Sequence, residues 1–303
     1  MRVLLTGASG FLGSALSDAL LARGDEVIGL TRDPERARSS NPTVGWYAWN
    51  ATAERPPAAA LQGVDAVVNL IGEPIDQRWT DEAKRRIRDS RDRATKNLVD
   101  ALSAADPRPR TLVSQSAVGY YGDRGDAIVD ESTKPGTAFD AGVCVGWETA
   151  ARNAEELGVR VAIIRTGLVL DPDHGLLKQL LPPFRLGLGG PIAGGRQYMP
   201  WIHVDDWVRL VLWALDGDDR TGVYNATAPN PVTNAELSKA LGRALGRPAV
   251  MPVPKIAMKA RFGSELGEVI TGGQRAVPRR ALDSGFEFAE PEIEPALRNL
   301  LRR

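Results

Sequence analysis

An α/β fold built on a doubly wound parallel sheet is what this chain predicts, on three observations. It opens with a strand, a glycine turn and a helix in direct succession. Strand and helix patterns then alternate up to Arg165. After Gly167 the rhythm breaks into a proline- and glycine-rich stretch, residues 171–200, of the kind that receives ligand beyond the carboxyl ends of an open sheet.

The elements follow in order. Val3 to Leu5 is an apolar strand, and helical spacing takes over through Leu16, Ala19, Leu20 and Ala22. Gly24 closes that helix and Glu26 to Leu30 is the second strand. Val44 to Trp49 is a third, and Val64 to Leu70 a buried-looking fourth that ends at Ile71-Gly72. Asp81 to Ala105 reads as one long charged helix with an apolar stripe at Ile87, Ala94, Leu98 and Leu102. Arg110 to Ser116 is the fifth strand, 139–157 a helix stopped at Gly158, and Val159 to Arg165 the sixth strand. A short helix around Leu176 to Leu181 interrupts the loop-rich segment. Then come a helix at 204–216, a strand at Val223 to Ala226 and a helix at 233–245. The repeated β-α-β units require right-handed crossovers and parallel strands. Residues 1–170, with returns from 201–246, are expected to form a Rossmann-type dinucleotide domain. Residues 171–200 and 247–303 are expected to supply a smaller substrate-side region.

The chain has 303 residues, which suits one α/β domain of roughly 200–250 residues plus an appendage. Lysine and arginine number 38, as do aspartate and glutamate, so no basic excess points to nucleic acid or to a membrane surface. Cys144 is the single cysteine, which excludes an intrachain disulfide and fits a reducing compartment. No apolar run reaches the ~18 residues of a membrane span, and the N-terminus reads as a strand rather than a signal peptide. The expectation is a soluble, cytoplasmic protein acting on a small molecule. His174 and His203 stand apart with no clustered cysteines or acids, so no metal site is expected.

The opening turn, Thr6 to Gly13, carries the cofactor reading. Gly7 permits the tight turn, Gly10 lets a pyrophosphate approach the backbone, and Gly13 lets the helix pack close. The first N–H groups of the helix, with the backbone of Ser9, Phe11 and Leu12, face the phosphates. The second strand ends Leu30-Thr31-Arg32-Asp33, so the acid that would bind a ribose 2′-hydroxyl is absent from the strand end, and an arginine follows. A guanidinium suits a 2′-phosphate, which favours NADP(H). The alternative leaves Arg32 solvated and gives the ribose to Asp33. Arg36 is either a second phosphate contact or an exposed helix charge.

These motifs together resemble an extended short-chain dehydrogenase/reductase. The opening matches TGxxGxxG, and Asp65 to Gly72 resembles the strand-four motif beside the adenosine. Ser114 to Gly122 (SQSAVGYYG) resembles the SSSxxVYG segment of sugar-nucleotide epimerases. Trp201 to Asp206 (WIHVDD) resembles FIHVDD, and Val223 to Ala226 resembles the late YNxG strand. Residues 119–125, 181–191 and 225–232 look closer still to the YfcH-type epimerase family, whose small C-terminal domain of unknown role residues 249–298 resemble. The resemblance implies that Gly7, Ser9, Gly10, Phe11, Leu12, Gly13, Arg32, Leu70, Ile71, Gly72, Ser114, Thr166 and Val169 bind the cofactor. It further implies a monomer, or a homodimer through the helices at 81–105 and 139–157.

The catalytic half departs from the pattern. The family uses a serine, then Tyr-x-x-x-Lys on a helix, and Ser116 takes the serine's place. No Tyr-x-x-x-Lys occurs in the chain; Asp140 stands at the tyrosine position and Cys144 at the lysine position. The family's asparagine in the preceding helix is also replaced, near Ser90-Arg91. Hydride transfer to a carbonyl needs a proton donor. Asp140 meets that need if burial raises its pKa. Tyr120, Tyr121 and Cys144 are the other candidates, each against the plain reading of a packed core residue. In the segment from 201, Asp205 or Asp206 is expected to cap the following helix and His203 to be structural. Arg88 or Arg91 can reach the pocket from an otherwise solvated helix. Gly187 to Gln197, with Arg185 and Arg196, either binds a polar substrate or only forms turns. Two functions follow: an NADP(H)-dependent oxidoreductase or epimerase-like enzyme, or an NADP(H)-binding regulator that does no chemistry.

Overall fold

The computed structural model describes residues 1–302. β1 (Arg2–Thr6) leads through the glycine turn into α1 (Phe11–Ala22), β2 (Glu26–Thr31), α2 (Pro34–Ser40) and β3 (Gly45–Ala48). After the short α3 (Ala58–Leu61) come β4 (Ala66–Asn69), α4 (Asp81–Asp89), α5 (Asp92–Leu102) and β5 (Thr111–Ala117). A 3-10 turn at Val118–Tyr121 and β6 (Ile128–Val129) precede α6 (Phe139–Arg152) and β7 (Arg160–Thr166). The loop-rich segment holds β8 (Leu168–Leu170), α7 (Gly175–Arg185), β9 (Tyr198–Met199) and β10 (Trp201–His203). There follow α8 (Val204–Asp216), β11 (Gly222–Ala226), β12 (Val232–Thr233) and α9 (Asn234–Leu245). The tail comprises α10 (Lys255–Phe262), α11 (Ser264–Thr271), β13 (Arg275–Ala276), α12 (Arg279–Asp283) and α13 (Ile293–Arg302).

Seven strands form one parallel sheet in the order β11-β7-β5-β4-β1-β2-β3. The order reverses between β1 and β4, the switch point where a doubly wound sheet opens its crevice. Both faces are covered, which is why these strands read as unbroken apolar runs. Side chains alternate between two cores: Val3 and Leu5 join one, Leu4 the other, and Ala162 and Ile164 face away from Val161 and Ile163.

The long helix expected at 81–105 is two helices broken at Ser90-Arg91. Ser90 Oγ accepts the N–H of Glu73 at 2.9 Å and donates to the carbonyl of Ile87 at 2.9 Å. Arg91 donates to the carbonyls of Glu73 and Ile87. Side-chain bonds to the strand-four exit thus compete with helix continuation. The expected helix 139–157 ends at Arg152, with a 3-10 turn at Glu155–Leu157.

The tail divides in space. α10 and α11 reach the segment after β4, where Arg78 donates to the carbonyl of Ala260 at 2.8 Å and Lys84 donates to Glu265 at 2.7 Å. The rest returns to the sheet: β13 pairs with β6, and Ala281, Phe286, Ile293, Ala296, Leu297 and Leu300 enter the core that holds Val3 and Leu5.

Candidate functional site

The glycine turn sits at the switch point. Gly7 has φ +66°, and a Cβ there would stand 2.9 Å from the carbonyl oxygen of Leu70. A Cβ on Gly13 would stand 2.1 Å from the carbonyl oxygen of Gly7, so α1 can lie this close only with glycine at that point. Gly10 is the N-cap of α1 and brings no side-chain cap, and the first turn holds no acid. The positive end of the helix is therefore left to an outside anion. Ser9 and Gly10 are exposed, Phe11 and Leu12 half-buried. The Phe11 ring stacks on His174 at 4.4 Å, 8° from parallel, which joins the turn to the loop before α7.

A buried polar lattice holds three strand ends in register beneath the turn. Thr6 Oγ1 donates to Asn69 Oδ1 at 2.7 Å and accepts from the N–H groups of Leu70 and Ile71. Asn69 Nδ2 donates to Thr95 Oγ1 and Ser114 Oγ. Ser114 is thus buried as a lattice member, while the backbone of Leu70 and Ile71 packs against the Gly7 turn and Gly72 lies against the Arg91 guanidinium. Sequence reading missed Thr6, Asn69 and Thr95. The signal was there for Asn69, a polar residue closing a buried apolar strand, which must find partners.

At the end of β2, Asp33 is committed to α2 as its N-cap and accepts the N–H of Arg36 at 3.0 Å. Arg32 is exposed and has no ion-pair partner among the described residues. Asp33 is exposed too, with one carboxylate oxygen used by the cap. Arg36 is exposed one turn away.

The expected catalytic residues converge on one network beyond β5 and β7. Ser116 is fully buried and donates to Glu148 Oε1 at 2.8 Å. Glu148 holds Arg165 with both oxygens, at 2.7 and 2.9 Å, and the pair is almost wholly buried. Tyr121 donates to Asn225 Oδ1 at 2.7 Å and accepts from Arg165 Nη1 at 3.1 Å; burial pushes its hydroxyl up to about 12. Tyr120 covers the Arg165 guanidinium with its ring, the centroid 3.3 Å from Cζ. Cys144 is buried, and burial, aided by the Glu148 and Asp140 carboxylates, pushes its thiol up to about 12. A thiol so held is protonated and inert at neutral pH. Asp140 is half-buried on the first turn of α6 beside Gly119.

Two further residues expected at the cofactor point inward. Thr166 accepts the indole N–H of Trp207 at 3.1 Å, and Val169 belongs to the core. The cap of α8 is His203 itself, whose Nδ1 accepts the N–H of Asp205 at 3.1 Å, rather than Asp205 or Asp206. Asp206 is buried and instead accepts the N–H groups of Ala289 and Glu290 in the tail. Arg91 reaches the strand-four exit, with its guanidinium over Trp147 at 5.0 Å. In the 187–197 loop Arg196 is exposed, as is Arg185 before it, while Gly190 serves packing: a Cβ there would lie 2.2 Å from Met251 O. Among the described residues no cluster of histidine, cysteine or acid suits a metal, and no helix is long and apolar enough to cross a membrane.

Residues 3–227 match the family model for the NAD dependent epimerase/dehydratase family, and residues 253–300 match a domain of unknown function, DUF1731. The chain belongs to the NAD dependent epimerase/dehydratase family. An epimerase family protein of Mycobacterium tuberculosis is 43% identical over 296 residues, 97% of this chain and 96% of that one. A chloroplastic homolog of epimerase family protein SDR39U1 from Arabidopsis thaliana is 41% identical, over 100% of this chain and 87% of its own. The crystal structure of human epimerase family protein SDR39U1 (isoform 2) with NADPH superposes with a TM-score of 0.90, at 35% identity and 100% coverage of both chains. Within this epimerase/dehydratase architecture, the glycine turn, the sheet order and the DUF1731 tail are accounted for together.

Proposed function

We propose that the chain is a soluble, cytoplasmic NADP(H)-dependent oxidoreductase or epimerase-like enzyme acting on a small polar substrate. The observation that carries this reading is the α1 N-terminus, uncapped, without acid, and closed to any side chain at Gly7 and Gly13. The N–H groups of Ser9, Phe11, Leu12 and Gly13 would hold the diphosphate, the Gly10 N–H closing the turn on the Gly7 carbonyl, and Arg32 would hold the 2′-phosphate. Leu70, Ile71 and Gly72 would wall the adenosine side. Ser114, Thr166 and Val169 would support the nicotinamide end from beneath, through the lattice and core that fix the strand ends. The cofactor supplies a hydride when bound. The NADPH in the structure of the human relative supports the same choice.

Residues 171–200, with α10 and α11 from the tail, would form the substrate side, where Arg185 and Arg196 favour an anionic group; the α12 and α13 part of 247–303, expected there too, packs into the sheet core instead. Two measurements test the reading: fluorescence titration with NADPH and NADH, and NADPH oxidation over a panel of ketones, aldehydes and sugar nucleotides. Tight NADPH binding with turnover on the panel is the expected result. Binding with every rate at background removes the catalytic part.

A second reading is an NADP(H)-binding regulator. Ser116 favours it, because its proton is already given to Glu148. Under it, Ser116→Ala leaves cellular function intact, and a turnover lost with that substitution rules it out.

A further inference from the structure

We propose that Asp140 is the proton donor and acceptor of this site, the group that exchanges a proton with the substrate oxygen. The inference rests on the hydride-transfer reading above and names the residue that completes it.

The placement comes from α6. Asp140, Cys144 and Glu148 are successive i, i+4 positions on one helix face. Glu148 meets Ser116 and Cys144 meets the backbone of Ala117. Asp140 meets Gly119, whose Cβ, if it had one, would stand 3.2 Å from Oδ2. The helix face thus climbs along the carboxyl end of β5 toward the ligand side of the sheet, with Asp140 outermost.

The other polar groups here are taken. Glu148 is bound to Ser116 and Arg165. Tyr121 is bound to Asn225 and Arg165, and Cys144 is buried as a neutral thiol. Glu131 accepts the N–H groups of Asn225 and Arg280. Asp140 Oδ1 is buried with no hydrogen-bond partner; Asp92 Oδ1 shares that state, but it lies further along α6 against Gly146 rather than beside the β5 exit. Burial holds its carboxyl above the usual aspartate range, against the pull of the Ala141 and Asp140 N–H groups. The charged and titratable groups facing α6 here are Lys84 and Arg88 over the Phe139 ring, Arg91 over Trp147, Asp92 against Gly146, Cys144 and Glu148 on its own helix and Tyr120 on the adjoining turn. A half-buried acid beside the exit of β5, its pKa raised by burial and one oxygen unclaimed, is arranged to hold a proton and give it up.

The step balances simply. Reduction of a carbonyl adds a hydride from the reduced dinucleotide to carbon and the Asp140 proton to oxygen, leaving the carboxylate. Oxidation of the alcohol returns that proton to Asp140.

The test has two parts. The first needs no substrate: urea unfolding of the cofactor-free wild type and Asp140→Asn from about pH 4 to about pH 8. Near the ordinary value of 3.8 the wild-type side chain ionises readily only when unfolded. Between that value and the raised folded one, the unfolded chain releases a proton that the native state keeps, so stability falls until the native carboxyl also ionises, a loss that asparagine avoids. The gap in favour of Asp140→Asn therefore widens with pH. A gap independent of pH overturns the inference.

The second part uses the fastest carbonyl compound of the panel. Asp140→Asn should lose about a hundredfold in rate while keeping its NADPH affinity. Asp140→Glu should recover part of it. The wild-type reduction rate should fall as pH rises through the Asp140 pKa, and the residual rate of the asparagine variant should not. Wild-type turnover that Asp140→Asn retains removes this inference and leaves hydride transfer standing. No turnover by wild type removes the hydride-transfer reading, and this inference with it.

Discussion

Ser116 donates to Glu148 across 2.8 Å, and Glu148 grips Arg165 through both oxygens in a nearly water-free setting. The serine at the end of β5 is therefore part of a charge lattice that fixes α6 against β5 and β7. Glu148→Gln leaves the Arg165 charge buried without its counter-ion and should cost about 3–5 kcal/mol of unfolding free energy. Adding Arg165→Met to that variant should recover most of the loss. A urea-denaturation cycle of the two singles and the double checks this; additive effects would show that the two residues are not coupled.

Arg32 and Asp33 are neighbours with separable effects. Arg32→Ala should weaken NADPH binding roughly ten- to a hundredfold, the equivalent of losing about 1.5–3 kcal/mol of charged hydrogen bonding, with NADH affinity unchanged. Asp33→Ala should leave the NADPH/NADH preference alone and cost about 1 kcal/mol of stability through the lost α2 cap. Isothermal titration with both dinucleotides distinguishes the two.

Gly13→Ala places a Cβ 2.1 Å from the carbonyl oxygen of Gly7. Backbone is struck, so α1 must shift away from the turn. The expected result is about 1–3 kcal/mol of destabilisation and loss of measurable NADPH binding, read by thermal melting with and without the dinucleotide.

Cys144 gives a test of sign at alkaline pH. Its thiol is pushed from 9.0 to about 12 in the folded protein, so the folded chain keeps a proton that the unfolded chain has released. Stability should fall as pH rises above about 9, by up to about 1.4 kcal/mol per pH unit from this group. Cys144→Ala should fall less steeply over the same range. Alkylation of native protein at pH 8 should be slow until denaturant is added.

The fold was legible because its signals are local. A strand, three spaced glycines and a helical stripe sit within the first twenty-two residues, and β2, β4 and β7 are built on apolar runs. The turn was legible where backbone makes it, at Gly7 with its positive φ and at Gly13 with its close packing, neither of which admits a side chain. The site was less legible where distant side chains pair. Nothing beside Ser116 in the chain names Glu148 as its partner 32 residues later, or Arg165 17 further on. The break at Ser90-Arg91 depends on the Glu73 backbone, which a helical period cannot report. The cap at His203 went to Asp205 or Asp206 on propensity alone, yet Asp206 is drawn away by the N–H groups of Ala289 and Glu290. Arg165, a cation closing an apolar strand, was the one readable clue that a buried carboxylate had to be nearby.

The tail completes the molecule from the far side. Asn225 donates to the carbonyl of Val277, Arg280 donates to the carbonyls of Thr221 and Val223, and six apolar side chains from Ala281 to Leu300 fill the core behind β1. Two family models divide the sequence, but the physical seam between them is missing. A chain stopped near residue 250 would expose an unfinished interior and the bare edge of β11, inviting aggregation. The two segments should therefore melt in one transition and be inherited as a pair, so that grafting either onto a foreign partner would require the other to travel with it.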